Sequence, residues 1–252
     1  QGIRNGSPWL ALIWFCGTVP VTLLLLRAFP QPYGWLPDGA RAAPGDIANI
    51  SGTPLAEAVR SRFYKAVTFG YIFALGAQVG GALQLVKLVE ERTDRSTATL
   101  ATIVLSTMSI ISRFAAGRII PKINMTRFTV GLAGLQGISL ASLGLVNNRI
   151  GLLIAIGLFG VTIGNMVMMQ SLLLAERFGV RDYPKIAARS GLISFSGTAL
   201  GPLLLGWLYD VAGGYRSSYL AAGVCSIIGA VLFSFAGSAS VASAEVASVN
   251  SQ

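Results

Sequence analysis

Arg113 is the residue of this chain best placed to do chemistry. It opens the stretch Arg113-Phe-Ala-Ala-Gly117-Arg118-Ile-Ile-Pro121-Lys122, directly after the uncharged run Ser96–Ser112. A guanidinium presents five N–H donors in a planar fork, and that fork grips a carboxylate through two parallel hydrogen bonds. An arginine inside a membrane span is costly and marks a binding site by default. From Ser96 to Arg113 a helix rises ~26 Å at ~1.5 Å per residue. At that depth the side chain can also simply snorkel to the interface. Both roles stay open, and both require the helix of Ser96–Ser112 to continue past Arg113.

The other groups with hydrogen-bonding chemistry are uncharged and sit within apolar runs. They are Tyr71, Gln78, Gln84, Gln136, Asn165, Gln170, Ser194 and Ser196. Polar groups in such runs face a water-filled path or bond across helices. Gln78 and Asn165 lie nearest the middles of their runs and, with Tyr71 and Arg113, are the expected substrate-binding residues. No acidic residue falls inside any run, so no proton-carrying carboxylate can be named. Histidine is absent from the sequence, which removes Ser-His and Cys-His catalysis and histidine metal sites. An intramembrane aspartyl hydrolase needs two facing aspartates within spans, and there are none. Cys16 and Cys225 sit in apolar runs with no motif around them and read as small packing residues. The expectation is a protein that is not an enzyme, with no cofactor and no metal.

These residues are carried by a chain whose solvent is lipid. Its 252 residues are 53% hydrophobic and only 12% charged, with a mean hydropathy of +0.66. Soluble domains carry about twice that share of charge. The net charge of +9 raises nucleic-acid binding, which needs clustered basic residues on a wet face. Here Lys and Arg are spread singly between apolar runs, so no nucleic-acid partner is expected.

Uncharged runs lie at Asn5–Leu26, Ala66–Val86, Ser96–Ser112, Phe128–Asn148, Ile150–Ala175, Ser190–Tyr209 and Ser217–Ala244. A helix crosses the hydrocarbon core with about 20 apolar residues, so about seven spans are expected. The runs are continuous, which favours helices over the alternating strands of a barrel. Thirteen of the 19 Lys and Arg fall in one set of alternate loops. That set is assigned to the cytoplasm, with the N-terminus outside and the C-terminus inside. The expected organisation is a transmembrane helix at 1–27, a cytoplasmic linker at 28–65, a six-helix domain at 66–236 and a disordered cytoplasmic tail at 237–252. The linker carries Pro30, Pro32, Pro37, Pro44 and Pro54, and its end, Pro54–Lys65, reads as a short amphipathic helix on the membrane face. The chain begins at Gln1, and a lone helix before a long linker suggests that the first helix belongs to an upstream bundle.

Glycines recur at four-residue spacing in Gly76/Gly80, Gly160/Gly164 and Gly197/Gly201. Such pairs let helix backbones approach closely. Pro202 follows the third pair and predicts a bend.

From about Ser61 to Phe233 the chain resembles helices seven to twelve of major facilitator superfamily transporters. Arg113–Arg127, with Gly117-Arg118 before a basic turn, is similar to the loop motif between helices eight and nine. Ala175-Glu-Arg-Phe-Gly179 resembles the exit of helix ten, and the stretch from Gly197 to Tyr215 resembles helix eleven and its outer turn. Pro32-Tyr-Gly-Trp-Leu-Pro-Asp-Gly39 resembles the segment after helix six. The loop motif's acidic residue, four positions after its glycine, is replaced here by Pro121. Within the superfamily the chain looks most like monocarboxylate and oxalate/formate-type carriers. The resemblance implies a polytopic α-helical bundle that transports a small solute by alternating access, with an organic anion such as a monocarboxylate as candidate substrate. It implies that Arg113 contacts the carboxylate and that Gly117, Arg118, Gly197, Gly201 and Pro202 serve gating. The acidic partner found one turn earlier in the monocarboxylate group corresponds to Ser109. The six-helix domain would hold a three-plus-three inverted repeat, Ala66–Asn148 against Ile150–Phe235. The implied partners are the lipid bilayer, a small-molecule substrate and the N-terminal half of the same carrier. The implied location is the cell membrane, the inner membrane of a bacterium. The rival reading is a seven-span membrane receptor, although Ser217–Phe235 has no lysine for a retinal Schiff base.

Overall fold

The computed structural model describes residues 3–25 and 52–239. They fall in two compact units, Gln1–Ile50 and Ser51–Gln252. The first holds α1 (Ile3–Leu25), with Pro8 and Pro20 inside the helix. α1 has 23 residues, and a helix crosses the hydrocarbon core with ~20. The helix starts on the polar sequence Arg4-Asn5-Gly6-Ser7. Seven spans were expected, and six helices among the described residues are long and apolar enough to cross a membrane. Expected linker residues 28–51 lie outside the described residues.

All six belong to the second unit: α3 (Arg62–Arg92), α4 (Arg95–Ile119), α5 (Met125–Leu145), α6 (Arg149–Phe178), α7 (Tyr183–Ala212) and α8 (Tyr215–Ser234), with α2 (Leu55–Arg60) leading into them. The chain is thus a multi-span helical membrane protein. Several helices outrun the charge-free runs because Lys and Arg at the ends reach the interface.

The breaks between helices are written in capping residues. Ser61 accepts from the Tyr64 N–H at 3.1 Å, Asp94 from Thr97 at 2.9 Å, Asn124 from Arg127 at 3.0 Å and Asn148 from Gly151 at 2.7 Å. Each cap satisfies an N–H that the helix cannot. Gly213 ends α7 at φ +69°, a left-handed conformation that glycine adopts without a Cβ penalty. Pro202 does not break α7, which runs unbroken to Ala212.

The six helices divide in sequence into two triplets, α3–α5 and α6–α8, which interleave in the packed bundle. Exchanging the triplets maps the main pairings onto one another: α3 on α7 becomes α6 on α4, and α3 on α8 becomes α6 on α5. The pair α5 on α8 maps onto itself. Neighbouring glycine contacts give the directions. Along α3 and α7, Ile72 meets Gly197 and Gly76 meets Gly201, so these helices run parallel. Along α6 and α4, Gly160 meets Leu105 and Gly164 meets Ser109, again parallel. Gly137 of α5 meets Gly223 of α8, and Gly144 meets Arg216, an antiparallel pair.

The same exchange appears at the helix ends. Arg92, closing α3, donates to the carbonyls of Leu143, Val146 and Gly144 at 2.6, 2.7 and 3.1 Å, at the C-terminus of α5. Arg177, closing α6, donates to the carbonyl of Ser238, just beyond α8, at 3.3 Å. A cation at a helix C-terminus satisfies carbonyls left without intrahelical donors and complements the dipole.

One core cluster gathers Tyr71, Phe178 and Phe233 near the start of α3, and a second gathers Leu88, Leu140 and Tyr219 near its end. Within Pro54–Lys65, where a short amphipathic helix was expected, α2 ends at Arg60 and Ser61 then caps α3, which takes in Arg62–Lys65. Residues ahead of it clasp the α6–α7 turn: the Thr53 N–H donates to Phe178 O at 2.8 Å and the Leu55 N–H to Asp182 Oδ2 at 3.0 Å. The expected tail 237–252 begins with Gly237–Ala239, where Ala239 is buried; residues 240–252 lie outside the described residues.

Candidate functional site

The seam between α4 and α6 holds Arg113 and Asn165, two of the four expected substrate-binding residues. α4 runs on through Arg113 to Ile119, as the short uncharged run requires. Arg113 is exposed, and its Nε donates to the Gly164 carbonyl at 2.9 Å. Glycine at 164 makes this approach possible. A Cβ there would lie 2.6 Å from Ser109 O and 2.9 Å from Arg113 Cγ and Nε. The terminal nitrogens of Arg113 have no hydrogen-bond partner among the described residues. No carboxylate pairs with it; the one ion pair among the described residues joins Lys185 to Asp182.

Asn165 is the next residue along α6 and is buried. Its Nδ2 donates to Val161 O at 2.9 Å and to Ser112 Oγ at 3.2 Å. Its Oδ1 has no partner among the described residues. Turning the amide over would face that oxygen toward the Val161 carbonyl, so the orientation is fixed by its surroundings. Ser112 itself donates to Val161 O at 3.1 Å. The Tyr71 hydroxyl, reaching across from α3, donates to Met166 O at 3.0 Å, and its ring stacks on Phe233 with centroids 4.8 Å apart.

Arg113, Asn165 and Tyr71 therefore converge on one turn of α6, Gly164–Met166. Gln78 does not join them. Its Nε2 donates to Gln136 Oε1 at 3.0 Å, and Gln136 Nε2 donates in turn to Ala74 O at 2.8 Å and Ser226 Oγ at 3.0 Å. This network ties α3 to α5 and α8. A second buried network ties α3, α6 and α7: Thr68 and Ser190 hydroxyls lie 2.8 Å apart, and Gln170 Nε2 donates to Ser190 at 3.2 Å and Ser194 at 2.9 Å.

The residues expected to serve gating separate into two groups. Gly197 and Gly201 are contact glycines, where a Cβ would lie 2.0 Å from Ile72 O and 2.1 Å from Gly76 O. Pro202 follows within the same helix. Gly117 has nothing within 4 Å of a Cβ built on it, and Arg118 is exposed. α4 then ends in a three-ten turn, Ile120–Lys122, that contains Pro121.

Outside the spans two carboxylates are perturbed. The Asp182 carboxyl is held below its usual range, chiefly by the Leu55 N–H and then by Lys185. Asp94 is lowered further, chiefly by the Ser96 hydroxyl and then by the N–H of Thr97. Asp94 caps the start of α4, and Asp182 holds the first N–H of α2.

Sequence reasoning did not single out Ser112 or Ser190. The signal available was only that Ser112 precedes Arg113 and that Ser190 stands one turn before Ser194. The chain matches no protein-family model and no curated protein sequence.

Proposed function

We propose that this chain forms one six-helix half of an alternating-access carrier of the major facilitator type, which moves a small organic anion past Arg113. The main support is the state of that side chain. It is anchored through Nε to the Gly164 carbonyl, so its terminal nitrogens point away from the anchor with donors to spare. Anchoring fixes the fork before ligand arrives, and a fixed fork loses less entropy on binding a carboxylate.

The burial of the six spans supports a missing partner bundle. The apolar windows of α4 and α7 are 17% and 22% buried, while those of the other four are 44% to 56% buried. α4 and α7 are also exchanged by the two-triplet relation. Two symmetry-related helices left bare suit a face that packs against a second bundle, with a site at the midplane between them.

Uptake of radiolabelled mono- and dicarboxylates into proteoliposomes tests the reading, using this chain with its complementary half. Arg113→Lys keeps the charge and loses the fork, so saturable anion uptake should fall at least tenfold. Unchanged uptake in that variant would sink the assignment of Arg113. The chain reconstituted by itself should give no saturable uptake, and saturable uptake there would sink the half-carrier reading.

A further inference from the structure

Away from the α4/α6 seam, a crevice of about 190 Å³ lies among α3, α7 and α8. Phe73, Ala77, Leu200, Leu204, Ala222 and Cys225 face it, and no residue lining it has a side-chain oxygen or nitrogen. Its floor is bare because Gly76, Gly197 and Gly201 bring α3 and α7 into backbone contact. It sits near the middle of α3 and α8, and Phe73, Leu200 and Leu204 remain exposed along it. At that depth in a bilayer only hydrocarbon can fill it.

One end of the crevice is marked by charge. Arg62 stands eleven residues before Phe73 on α3, and Arg189 stands eleven residues before Leu200 on α7. Eleven residues make about three helical turns, so each arginine shares a face with its crevice residue, ~16 Å nearer the helix start. Half the hydrocarbon core is ~15 Å. A crevice at the midplane therefore puts both guanidinium groups at headgroup depth. Both are exposed, as is Lys65 near them on α3. Arg62 lies 5.9 Å from the Phe235 ring, which places it beside the end of α8. Arg189 acts electrostatically on Tyr64, so it too borders the start of α3. Along these faces neither α3 before Glu90 nor α7 before Asp210 carries a carboxylate.

We propose that this crevice binds an anionic diacyl glycerophospholipid, with one acyl chain in the apolar cleft and its phosphate on Arg62 and Arg189. Phosphate accepts bidentate hydrogen bonds from arginine, and cations near an anionic headgroup favour it over a zwitterionic one. The proposal requires that α3, α7 and α8 span a bilayer and that Leu200 and Leu204 of α7 face lipid rather than a second bundle; it is independent of what the α4/α6 seam binds.

Photolabelling tests it with the full chain in phosphatidylcholine nanodiscs. One sample contains a trace of phosphatidylglycerol bearing a diazirine in mid-acyl chain, and the other contains phosphatidylcholine bearing the same group. Adducts are mapped by peptide mass spectrometry. The expected result is labelling at Phe73–Ala77 and Leu200–Leu204, about tenfold stronger from the phosphatidylglycerol probe. Arg62→Gln with Arg189→Gln should lower that labelling to the phosphatidylcholine level, and Cys225→Phe should reduce it by filling the cleft. Equal labelling by the two probes would overturn the proposal. So would labelling no stronger than at lipid-exposed Ile154 of α6, or labelling indifferent to the two arginine substitutions.

Discussion

The two parallel seams, α3/α7 and α6/α4, occupy equivalent places in the exchange of triplets, yet they are built from different materials. The α3/α7 seam has glycine on both sides, with Gly76 against Gly201 and Ile72 against Gly197. Thr68, Ser190 and Ser194 find partners there, with Gln170 of α6, whereas Tyr64 OH and Gln84 Oε1 of α3 have none among the described residues. The α6/α4 seam has glycine on one side only, Gly160 and Gly164 against Leu105 and Ser109. There the polar groups are left partly open: Asn165 Oδ1 lacks a partner, and Arg113 uses only Nε. A fully satisfied polar network makes a packed interface rigid and specific. Unspent donors and acceptors are where binding chemistry is found. The contrast that stands is in backbone packing: α3/α7 is the closer seam, with glycine on both sides.

The comparison breaks most readily at its glycines. Gly201→Ala puts a Cβ 2.1 Å from a backbone oxygen, which can yield only if the helices part. It should cost about 3 kcal/mol or more, read as a lowered thermal midpoint in detergent. Gly157→Ala, on α6 with its nearest neighbour at 3.7 Å, should change stability by less than about 0.5 kcal/mol. Equal losses would remove the distinction between tight and loose packing.

Polar substitutions should give the next largest difference. Ser190→Ala removes a buried partner from Thr68 and one of the two from Gln170, at about 1–3 kcal/mol. Asn165→Leu should cost less than about 1 kcal/mol, because it also removes an oxygen already unpartnered. Urea or thermal titration of both variants decides which seam relies on its hydrogen bonds. Arg113→Gln should be smaller still for stability, within about 0.5 kcal/mol, since the side chain is exposed.

The smallest effect is local and depends on pH. Asp182 has a folded pKa below its unfolded value. Its contribution is therefore present above the unfolded pKa and is lost as pH falls through the folded one. Hydrogen exchange over residues 54–60, corrected for intrinsic rate, should show the clasp at α2 loosening toward acid pH. Asp182→Asn should weaken it at neutral pH and flatten that dependence.

The spans of the second unit were legible because charge marks their ends: Lys65 and Lys87 bracket the core of α3, and Arg149 opens α6. The continuation of α4 past Arg113 followed from counting residues against bilayer thickness. The glycine pairs could be seen as contact surfaces but not matched to partners, since spacing along one helix says nothing about which helix arrives. For the same reason the sequence could place Gln78 and Asn165 at mid-span without separating them. Gln78 meets Gln136 of α5, whereas Asn165 keeps an oxygen free, and only the packing of other helices makes that difference.

Parallel pairing also has a consequence for biosynthesis. Two helices of the same direction cannot be sequence neighbours joined by a short turn, so the α3/α7 seam joins distant segments, with Thr68 and Ser190 lying 122 residues apart. At ~5–20 residues per second, a ribosome takes about 6–25 s to supply the second half of that contact. During this interval α3 is in the membrane with its glycine face and Thr68 unmatched. The nascent chain must therefore be sheltered at the insertion site, or must borrow a temporary neighbour, until α7 is made.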